Sequence, residues 1–338
     1  MNTSTGSLAI SLIMPTIDWG PTFQRCLQAA AAATGPADAL LVVFDGRPPP
    51  PPDWLLATGA ALLQTDTREG PAAARNLAAS RALGEILLFV DADVELHPDA
   101  AERVRAVFST NPNLAAVFGS YDAAPSAPGL VSQFRNLLHH HTHSSHPGPA
   151  CTFWAGCGAV RRERFLSLGG FDAQTYPKPS IEDIEFGLRL HEAGGRILLD
   201  PTITGTHHKR WTLDLMLQTD IRHRAIPWSR LLLMQGRPTT ALNLDPTARV
   251  SSSLTLLTVL GFVIIPFHPS IWPLSLVSIG LITLLNRGFY GLCFRMGGGR
   301  LGLAAIGLHG LYFLYSLLAF GLVLMQQKLL PHPRSQKP

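Results

Sequence analysis

The sequence has few of the features that mark secreted or nucleic-acid-binding proteins. Its 338 residues include only four cysteines, without zinc-type spacing, and a reducing compartment would keep them as thiols. No basic segment followed by an apolar one opens the chain, so no secretory signal is predicted. The net charge of +4 comes without any nucleic-acid-binding motif. We therefore expect the large N-terminal part of the chain to stay in the cytoplasm.

Two long stretches, residues 251–286 and 301–327, lack Asp, Glu, Lys and Arg altogether. Each is long enough to cross a hydrocarbon core of about 30 Å, which takes about 20 helical residues. Prolines interrupt the first stretch, so the pattern leaves two or three transmembrane segments open, at about 251–268, 271–290 and 302–325. We expect residues 236–338 to form a C-terminal membrane region, with the arginines between the segments facing the cytoplasm.

Residues 1–235 alternate between strand and helix patterns. The predicted strands cover residues 8–14, 40–44, 61–64 and 86–90, and the predicted helices cover 22–33, 72–82 and 99–108. This alternation favours an α/β fold with a mostly parallel central sheet flanked by helices. A later apolar segment, residues 197–199, fits a strand at the edge of the sheet.

The strand predicted at Ile86 to Val90 ends on two acids. Its five apolar residues are typical of a central strand that is buried on both faces. Asp91 and Asp93 follow, and in an extended backbone residues two apart share a face. Open α/β sheets bind ligands at the carboxyl ends of their strands. Paired carboxylates there favour Mg²⁺ or Mn²⁺, with phosphate oxygens in the same shell.

Further short motifs precede these acids in a recurrent order. They are a strand ending in Pro15-Thr16, a second strand ending in Asp45-Gly46, and the segment Gly70-Pro71-Ala72-Ala73-Ala74-Arg75-Asn76. Together with Asp91 and Asp93 they resemble the nucleotide-sugar domain of the family 2 glycosyltransferases, whose fold is called GT-A. The resemblance covers roughly the first two-thirds of the chain. It implies a nucleotide-sugar donor, UDP- or GDP-linked, and a divalent cation as cofactor.

The resemblance also implies residues that bind the donor. Pro15, Thr16 and Asp45 would read the edge of the base, since a carboxylate accepts from an imide N–H. Arg75 would bind the diphosphate beside the positive end of a helix. The residues alone leave a plainer interpretation open, in which Arg75 faces solvent and Asp45 only forms a turn.

Three residues are candidate metal ligands. By resemblance, Asp93 is the direct ligand, while Asp91 holds the ribose or the metal shell. In the segment after residue 205, His208 could add a neutral imidazole.

The residues after His208 are basic and aromatic. Lys209 and Arg210 would stabilise the leaving group, and Trp211 would form a stacking wall at the donor. The segment departs from the Gln-x-x-Arg-Trp of processive synthases, which argues against polymer synthesis. The alternative is a basic-aromatic patch that anchors the domain to lipid headgroups.

Two acids near residue 182 are the candidate catalytic residues. An inverting transfer needs a base that takes the proton of the acceptor hydroxyl, and a carboxylate can do this. We expect Asp183 to be this base and Glu182 to bind or orient the acceptor. The alternative is that Ser180 and Asp183 form a helix capping box.

Two further segments complete the catalytic domain. The histidine-rich segment 139–146 lacks a second ligand pair, so an acceptor-side loop is favoured over a zinc site. Residues 213–233 alternate apolar side chains with arginines, which predicts an amphipathic helix in the membrane interface, broken at Pro227.

The sequence therefore predicts a membrane-anchored, metal-dependent, inverting glycosyltransferase of the cell envelope, at the cytoplasmic (inner) membrane. Its acceptor would be a lipid or a lipid-linked molecule. One alternative is a polyprenyl-phosphate sugar synthase, whose acceptor phosphate needs no base. Another is a non-catalytic membrane scaffold that keeps the GT-A fold, although three acids at one pocket argue against it.

Overall fold

The computed structural model describes residues 8–235 and 246–329. The chain divides into two compact units, the first made of residues 1–127 and 139–210, and the second of residues 128–138 and 211–338. Residues 236–245, where the predicted membrane region begins, lie outside the described residues, as do the termini.

Strands and helices alternate along the first unit. The strands are β1 (Ile10–Thr16), β2 (Ala39–Phe44), β3 (Ala61–Gln64), β4 (Ile86–Val90), β5 (Val94–Leu96), β6 (Leu114–Tyr121), β7 (Gly148–Ala150), β8 (Cys157–Arg161) and β9 (Arg196–His207). The helices are α1 (Pro21–Ala33), α2 (Asp53–Leu56), α3 (Pro71–Arg81), α4 (Ala100–Thr110), α5 (Leu130–Ser144, whose residues fall partly in each unit), α6 (Arg162–Ser167) and α7 (Glu182–Glu192).

All nine strands described join one sheet in the order β3-β2-β1-β4-β8-β6-β9-β5, with β7 also pairing with β9. The half from β3 to β4 is parallel throughout. In the other half only β6 and β9 are parallel, while β8, β5 and β7 run antiparallel to their neighbours. The predicted α/β class with a central sheet flanked by helices is confirmed, but the sheet is mixed rather than mostly parallel.

Apolar burial explains the first half of the sheet. Every residue of β1 and of β4 is buried, as expected for central strands covered on both faces. Helices α1 and α3 begin at Pro21 and Pro71, where the missing N–H has no helical partner to lose. This half places the carboxyl ends of three parallel strands at one edge.

Two segments of the second half differ from the sequence-based expectation. Strand β9 has 12 residues and pairs with β6, β5 and β7, so it is not a short edge strand over 197–199. Its polar second part, residues 200–207, lacked an apolar signal. Helix α5 continues to Ser144, so most of the predicted histidine-rich loop is helical, and His139 and His143 pack one turn apart against Trp154.

The second unit is helical in its described residues. It contains α8 (Leu213–Gln218), a π-helical stretch (Thr219–Ala225), α9 (Ile226–Gln235), α10 (Pro246–Ile264), a 3₁₀ turn (Pro269–Ile271), α11 (Trp272–Leu285) and α12 (Arg287–Leu329). The irregular π-helical stretch precedes Pro227, which cannot donate a backbone hydrogen bond. Helix α12 is interrupted at Gly297 and Gly298, where the backbone is not helical.

Two of the described helices, α10 and α12, are long and apolar enough to cross a membrane, whereas α11 is shorter. Large apolar side chains on them are more than half exposed, among them Leu257, Phe262, Leu303 and Leu318. The predicted C-terminal apolar helices are therefore present in the described residues.

Candidate active site

The candidate site lies at the carboxyl edge of β1, β2 and β4. Asp45 directly follows β2 and Asp91 directly follows β4, while Thr16 is the last residue of β1. Arg75 lies in the second turn of α3. The sheet thus brings together residues that are far apart in the sequence, because parallel strands end at the same edge.

A buried ion-pair cluster surrounds Arg75. Its Nη2 lies 2.5 Å from Asp91 Oδ1, and its Nη1 lies 3.2 Å from Glu182 Oε1. Burial works to lower the pKa of the guanidinium, but the charges of Asp91 and Glu182 outweigh it and raise that pKa. Both Arg75 and Glu182 are only 5% exposed. The contacts of Arg75 therefore organise two acids, and its direct binding of a diphosphate stays a prediction.

Asp183 lies beside this cluster in the first turn of α7. Its Oδ2 accepts a hydrogen bond from the Ala155 N–H at 3.0 Å, and its Oδ1 accepts from the Ile184 N–H at 2.8 Å. Burial, and then the charge of Glu182, raise the pKa of Asp183 to about 7. A carboxylate with this pKa can take a proton at neutral pH.

Asp91 and Asp93 do not share a face, contrary to expectation. The Val94 N–H donates to the Asp91 carbonyl at 3.0 Å, which closes a tight turn directly after β4. Because of this turn, the Asp91 carboxylate contacts Arg75, whereas the Asp93 carboxylate faces His207 of the strand β9. An extended backbone was the condition for a shared face, and the turn removes it.

Asp93 faces His207 rather than the predicted His208. The Nε2 of His207 lies 3.5 Å from Asp93 Oδ2. Burial works to raise the pKa of Asp93, but His207 and the charge of Lys209 lower it to about 2. His207 is buried as the last residue of β9, whereas His208 follows the strand and points elsewhere. A shift of one residue along a strand changes the face, so neighbouring histidines cannot be told apart by sequence spacing.

His208 belongs to a separate polar chain. Its Nε2 lies 2.6 Å from Glu95 Oε2 and its Nδ1 lies 2.5 Å from Ser126 Oγ. Its backbone N–H donates to the Asp93 carbonyl at 2.8 Å. These contacts fix the backbone of Asp93 rather than adding an imidazole beside its carboxylate.

An aromatic stack holds the His207 ring. Tyr121, the last residue of β6, lies parallel to it with ring centroids 4.1 Å apart and planes 8° apart. His139 covers Tyr121 at 4.4 Å, and Trp154 meets it edge-on at 4.8 Å. No periodic pattern in the sequence indicates this cluster, because its members come from β6, α5, β9 and a loop.

Among the described residues no group of three or more His, Cys, Asp and Glu side chains forms a ready metal site. Asp93 and His207 nevertheless provide one carboxylate and one imidazole aimed at each other. Mg²⁺ and Mn²⁺ sites in phosphate-binding enzymes use one or two protein carboxylates and complete their shell with phosphate and water. The donor set therefore fits a cation that is shared with a bound diphosphate.

Asp45 uses its carboxylate within the chain. Its Oδ1 accepts hydrogen bonds from Thr65 Oγ1 at 3.0 Å and from the Glu69 N–H at 2.8 Å, and its Oδ2 accepts from the Gly70 N–H at 3.0 Å. Asp45 is 6% exposed. Its contacts fold the loop 65–70 over the end of β2, a role that differs from the predicted contact with the base.

Pro15 and Thr16 are buried at the end of β1. Thr16 Oγ1 donates to the Asp18 carbonyl at 2.8 Å, and the Thr16 carbonyl accepts from the Asp45 N–H at 2.8 Å. These contacts shape the strand end beside a cavity of about 380 Å³. The cavity is lined by Ile17, Phe44, Asp45, Gly46, Arg47, Asp66, Thr67 and Arg68.

The three residues predicted after His208 have different surroundings. Lys209 is partly buried and its charge acts on Asp93, whereas Arg210 is exposed. Trp211 is assigned to the second unit, where it is 5% exposed and its Nε1 donates to Asn136 Oδ1 at 3.3 Å. These contacts give the Trp211 ring a packing role, and its predicted place at the donor stays a prediction.

Sequence reasoning missed two structural supports of the site. Asn76 clamps the backbone of Phe171, donating to its carbonyl at 2.7 Å and accepting from its N–H at 2.9 Å. Gly70 has a φ of +91°, and a Cβ there would lie 2.2 Å from the Pro177 carbonyl oxygen. Both residues occur in the motif before Asp91, so the motif itself was the signal that could have identified them.

Comparison with known structures defines the class of protein. The mannosyltransferase PcManGT from Pyrobaculum calidifontis, solved with GDP-Man and Mn²⁺, matches with a TM-score of 0.53 at 16% identity. The match covers 94% of this chain and 88% of that chain. The first unit therefore has the GT-A fold of a glycosyltransferase.

Sequence comparison defines the family. Residues 11–168 match the family model described as Glycosyl transferase family 2. A Haemophilus influenzae protein described as an uncharacterized glycosyltransferase is 28% identical over 193 residues. Those residues are 54% of this chain and 61% of that protein, so the chain spans less than two-thirds of the relative. Residues 11–168 therefore form a family 2 glycosyltransferase domain, as the motifs predicted.

Proposed function

We propose that the protein transfers a sugar from a nucleoside-diphosphate donor to an acceptor hydroxyl with inversion, and that Asp183 is the base. The observation that carries this proposal is the position of Asp183. It is held by two backbone N–H groups, and burial and Glu182 bring its pKa to about 7. A base is most effective when its pKa lies near the working pH.

In this mechanism the acceptor hydroxyl attacks the anomeric carbon from the side opposite the diphosphate. Its proton passes to Asp183 as the new C–O bond forms. The bond to the diphosphate breaks, and its electron pair stays on the leaving oxygen. Arg75 compensates the charges of the buried Glu182 and the partly exposed Asp91, so that neither acid faces Asp183 without a partner.

Asp93 and His207 would hold a Mg²⁺ or Mn²⁺ ion together with the donor diphosphate. When bound, such a cation neutralises the charge that develops on the leaving diphosphate. Lys209, whose charge already acts on Asp93, and the exposed Arg210 would add positive charge on the same side. The Mn²⁺ and GDP-Man bound to the mannosyltransferase neighbour support a donor and a cation of this kind.

The acceptor is proposed to be a lipid or a lipid-linked molecule at the cytoplasmic membrane. Support comes from α10 and α12, whose length and composition suit a membrane and whose large apolar side chains are exposed. On this proposal the first unit faces the cytoplasm. Resistance of the full chain to extraction from membranes at high pH, and its release by detergent, are the expected results.

The decisive experiment uses the detergent-purified full chain with a panel of nucleotide sugars, Mn²⁺ and membrane lipids as acceptors. We expect transfer from one donor, inversion of the anomeric centre by NMR, and loss of transfer in Asp183→Asn. Glu163→Gln is a matched control, because Glu163 is an exposed acid on α6 that is not part of the ion-pair cluster. Full transfer to a polyprenyl phosphate by Asp183→Asn would instead favour the synthase alternative, whose acceptor needs no base. Absence of both transfer and nucleotide binding would favour the scaffold.

A further inference from the structure

The cavity beside the ends of β1 and β2 has an acid other than Asp45 facing it. Asp66 lies in the loop 65–70, which the three hydrogen bonds of Asp45 hold in place. Asp66 is exposed and lines the cavity of about 380 Å³. Asp45 also lines the cavity, but its two oxygens already accept three hydrogen bonds, so the carboxylate with both oxygens available to a ligand is that of Asp66.

Two arginines line the same cavity. Arg47 follows β2 and Arg68 lies in the loop 65–70, and both are exposed. The Cγ of Arg68 lies 3.3 Å from the position of a Cβ built on Gly46, so its stem rests against the end of β2. Among the described residues, the side chains of Asp66, Arg47 and Arg68 make no ion pair or hydrogen bond. Besides the hydrogen-bonded Asp45, the cavity thus offers a ligand the carboxylate of Asp66 and the guanidiniums of Arg47 and Arg68.

This combination matches the hydrogen-bonding edges of guanine. The N1–H and the exocyclic N2–H of guanine are adjacent donors, which suit the two oxygens of one carboxylate. Its O6 and N7 are adjacent acceptors, which suit the fork of an arginine. Uracil has a single N–H between two carbonyl groups, so a carboxylate that accepts from it sets its second oxygen near a carbonyl oxygen.

We propose that Asp66, with Arg47 and Arg68, reads the base of the donor, and that this base is guanine. The inference rests on the proposed function, since it assumes that this cavity receives the nucleotide. On this proposal Asp45 holds the loop 65–70 in place, and Asp66 determines which base binds. The substrate class is then a GDP-sugar.

The test is calorimetric titration of the detergent-purified full chain with GDP and with UDP, each in the presence of Mn²⁺. We expect GDP to bind at least about tenfold more tightly than UDP. Asp66→Asn, which replaces an acceptor oxygen by an N–H donor, should weaken GDP about tenfold and change UDP less than about twofold. Glu163→Gln, an exposed acid outside the cavity, should leave both affinities unchanged.

The outcomes separate the base assignment from the proposed function. Tighter or equal binding of UDP, or unchanged GDP binding by Asp66→Asn, overturns the assignment to guanine and leaves a nucleotide-sugar enzyme standing. Failure of the wild type to bind either nucleotide overturns the nucleotide site itself and the assignment with it. Because Asp66 is exposed, an unchanged thermal unfolding midpoint will show that its variant is folded.

Discussion

Two carboxylates at one edge of the sheet, Asp183 and Asp93, have opposite pKa shifts. Burial and the nearby Glu182 raise the pKa of Asp183 to about 7. Burial opposes the shift at Asp93, but His207 and Lys209 lower its pKa to about 2. One acid is thus suited to accept a proton at neutral pH, and the other to stay charged beside a cation. Opposite shifts of this kind separate the acid–base role from the binding role in one site.

The surroundings of the two acids explain the difference. The positive side chain that acts on Asp183, Arg75, is already paired with Asp91 and Glu182, so a further negative charge is disfavoured. Near Asp93 the imidazole of His207 and the charge of Lys209 favour the ionised form. The contrast is set by the partners of each acid, and burial alone would raise both pKa values.

Removing the base should produce the largest effect. Asp183→Asn keeps the size of the side chain but cannot accept the proton, so we expect kcat to fall by about 10² to 10⁴. Steady-state transfer from the preferred donor measures this. Nucleotide affinity should change little if Asp183 contacts the acceptor rather than the donor, as we propose. A variant that retains more than a third of wild-type kcat would remove Asp183 from the mechanism.

Removing the arginine between the acids should destabilise the first unit. Arg75→Met leaves the buried Glu182 and the partly exposed Asp91 without their cation, and we expect the loss at Glu182 to lower the free energy of unfolding by about 3 kcal/mol. Urea unfolding followed by tryptophan fluorescence is the measurement. Arg81→Met on the same helix is the matched control, because Arg81 is exposed. Equal stability of the two variants would contradict the role given to the ion pairs.

Loosening the aromatic stack should weaken cation binding by Asp93 and His207. Tyr121→Leu removes the ring parallel to His207, so we expect the Mn²⁺ affinity to fall about 10- to 100-fold. Titration of free Mn²⁺ followed by electron paramagnetic resonance measures this without turnover. Tyr121→Phe keeps the ring and should bind Mn²⁺ as the wild type does. Similar affinities in the leucine and phenylalanine variants would show that the stack does not position His207.

Replacing Asp45 should separate folding of the loop from recognition of the base. Asp45→Asn replaces one acceptor oxygen by an N–H donor and so loses one or two of the three hydrogen bonds, and we expect about 1 to 3 kcal/mol less stability. Binding of GDP and UDP should weaken by the same factor, as expected for a disordered loop. If the Asp45→Asn variant were as stable as the wild type but preferred a different base, Asp45 would have the base-reading role that the sequence predicted.

The sequence was informative where strands end. Continuous apolar runs followed by polar residues located β1, β2 and β4, and placed Asp45, Arg75 and Asp91 at the carboxyl edge. These features depend on local composition, which a sequence displays directly. The resemblance to family 2 glycosyltransferases rested on the same residues, and it identified the family.

The partners of the acids were not predictable. The turn that closes with the hydrogen bond from Val94 to Asp91 redirects Asp93, and the turn-favouring residues in it are the same two acids that we interpreted as a metal-binding pair. Whether His207 or His208 faces Asp93 depends on the register of β9 against β5, which is a tertiary property. The hydrogen bonds of Asp45 come from a loop some 20 residues away in the sequence. Local sequence patterns therefore could not show that its carboxylate oxygens already accept hydrogen bonds within the chain.

The most direct test of the central claim is the pH dependence of transfer by the wild type. The base must be ionised to act, so kcat should fall about tenfold for each pH unit below the pKa of Asp183, which is about 7. Above pH 7 the rate should reach a plateau, and Asp183→Asn should lose the inflection. A wild-type kcat that is about equal at pH 5.5 and at pH 8 would contradict the assignment of Asp183 as the base.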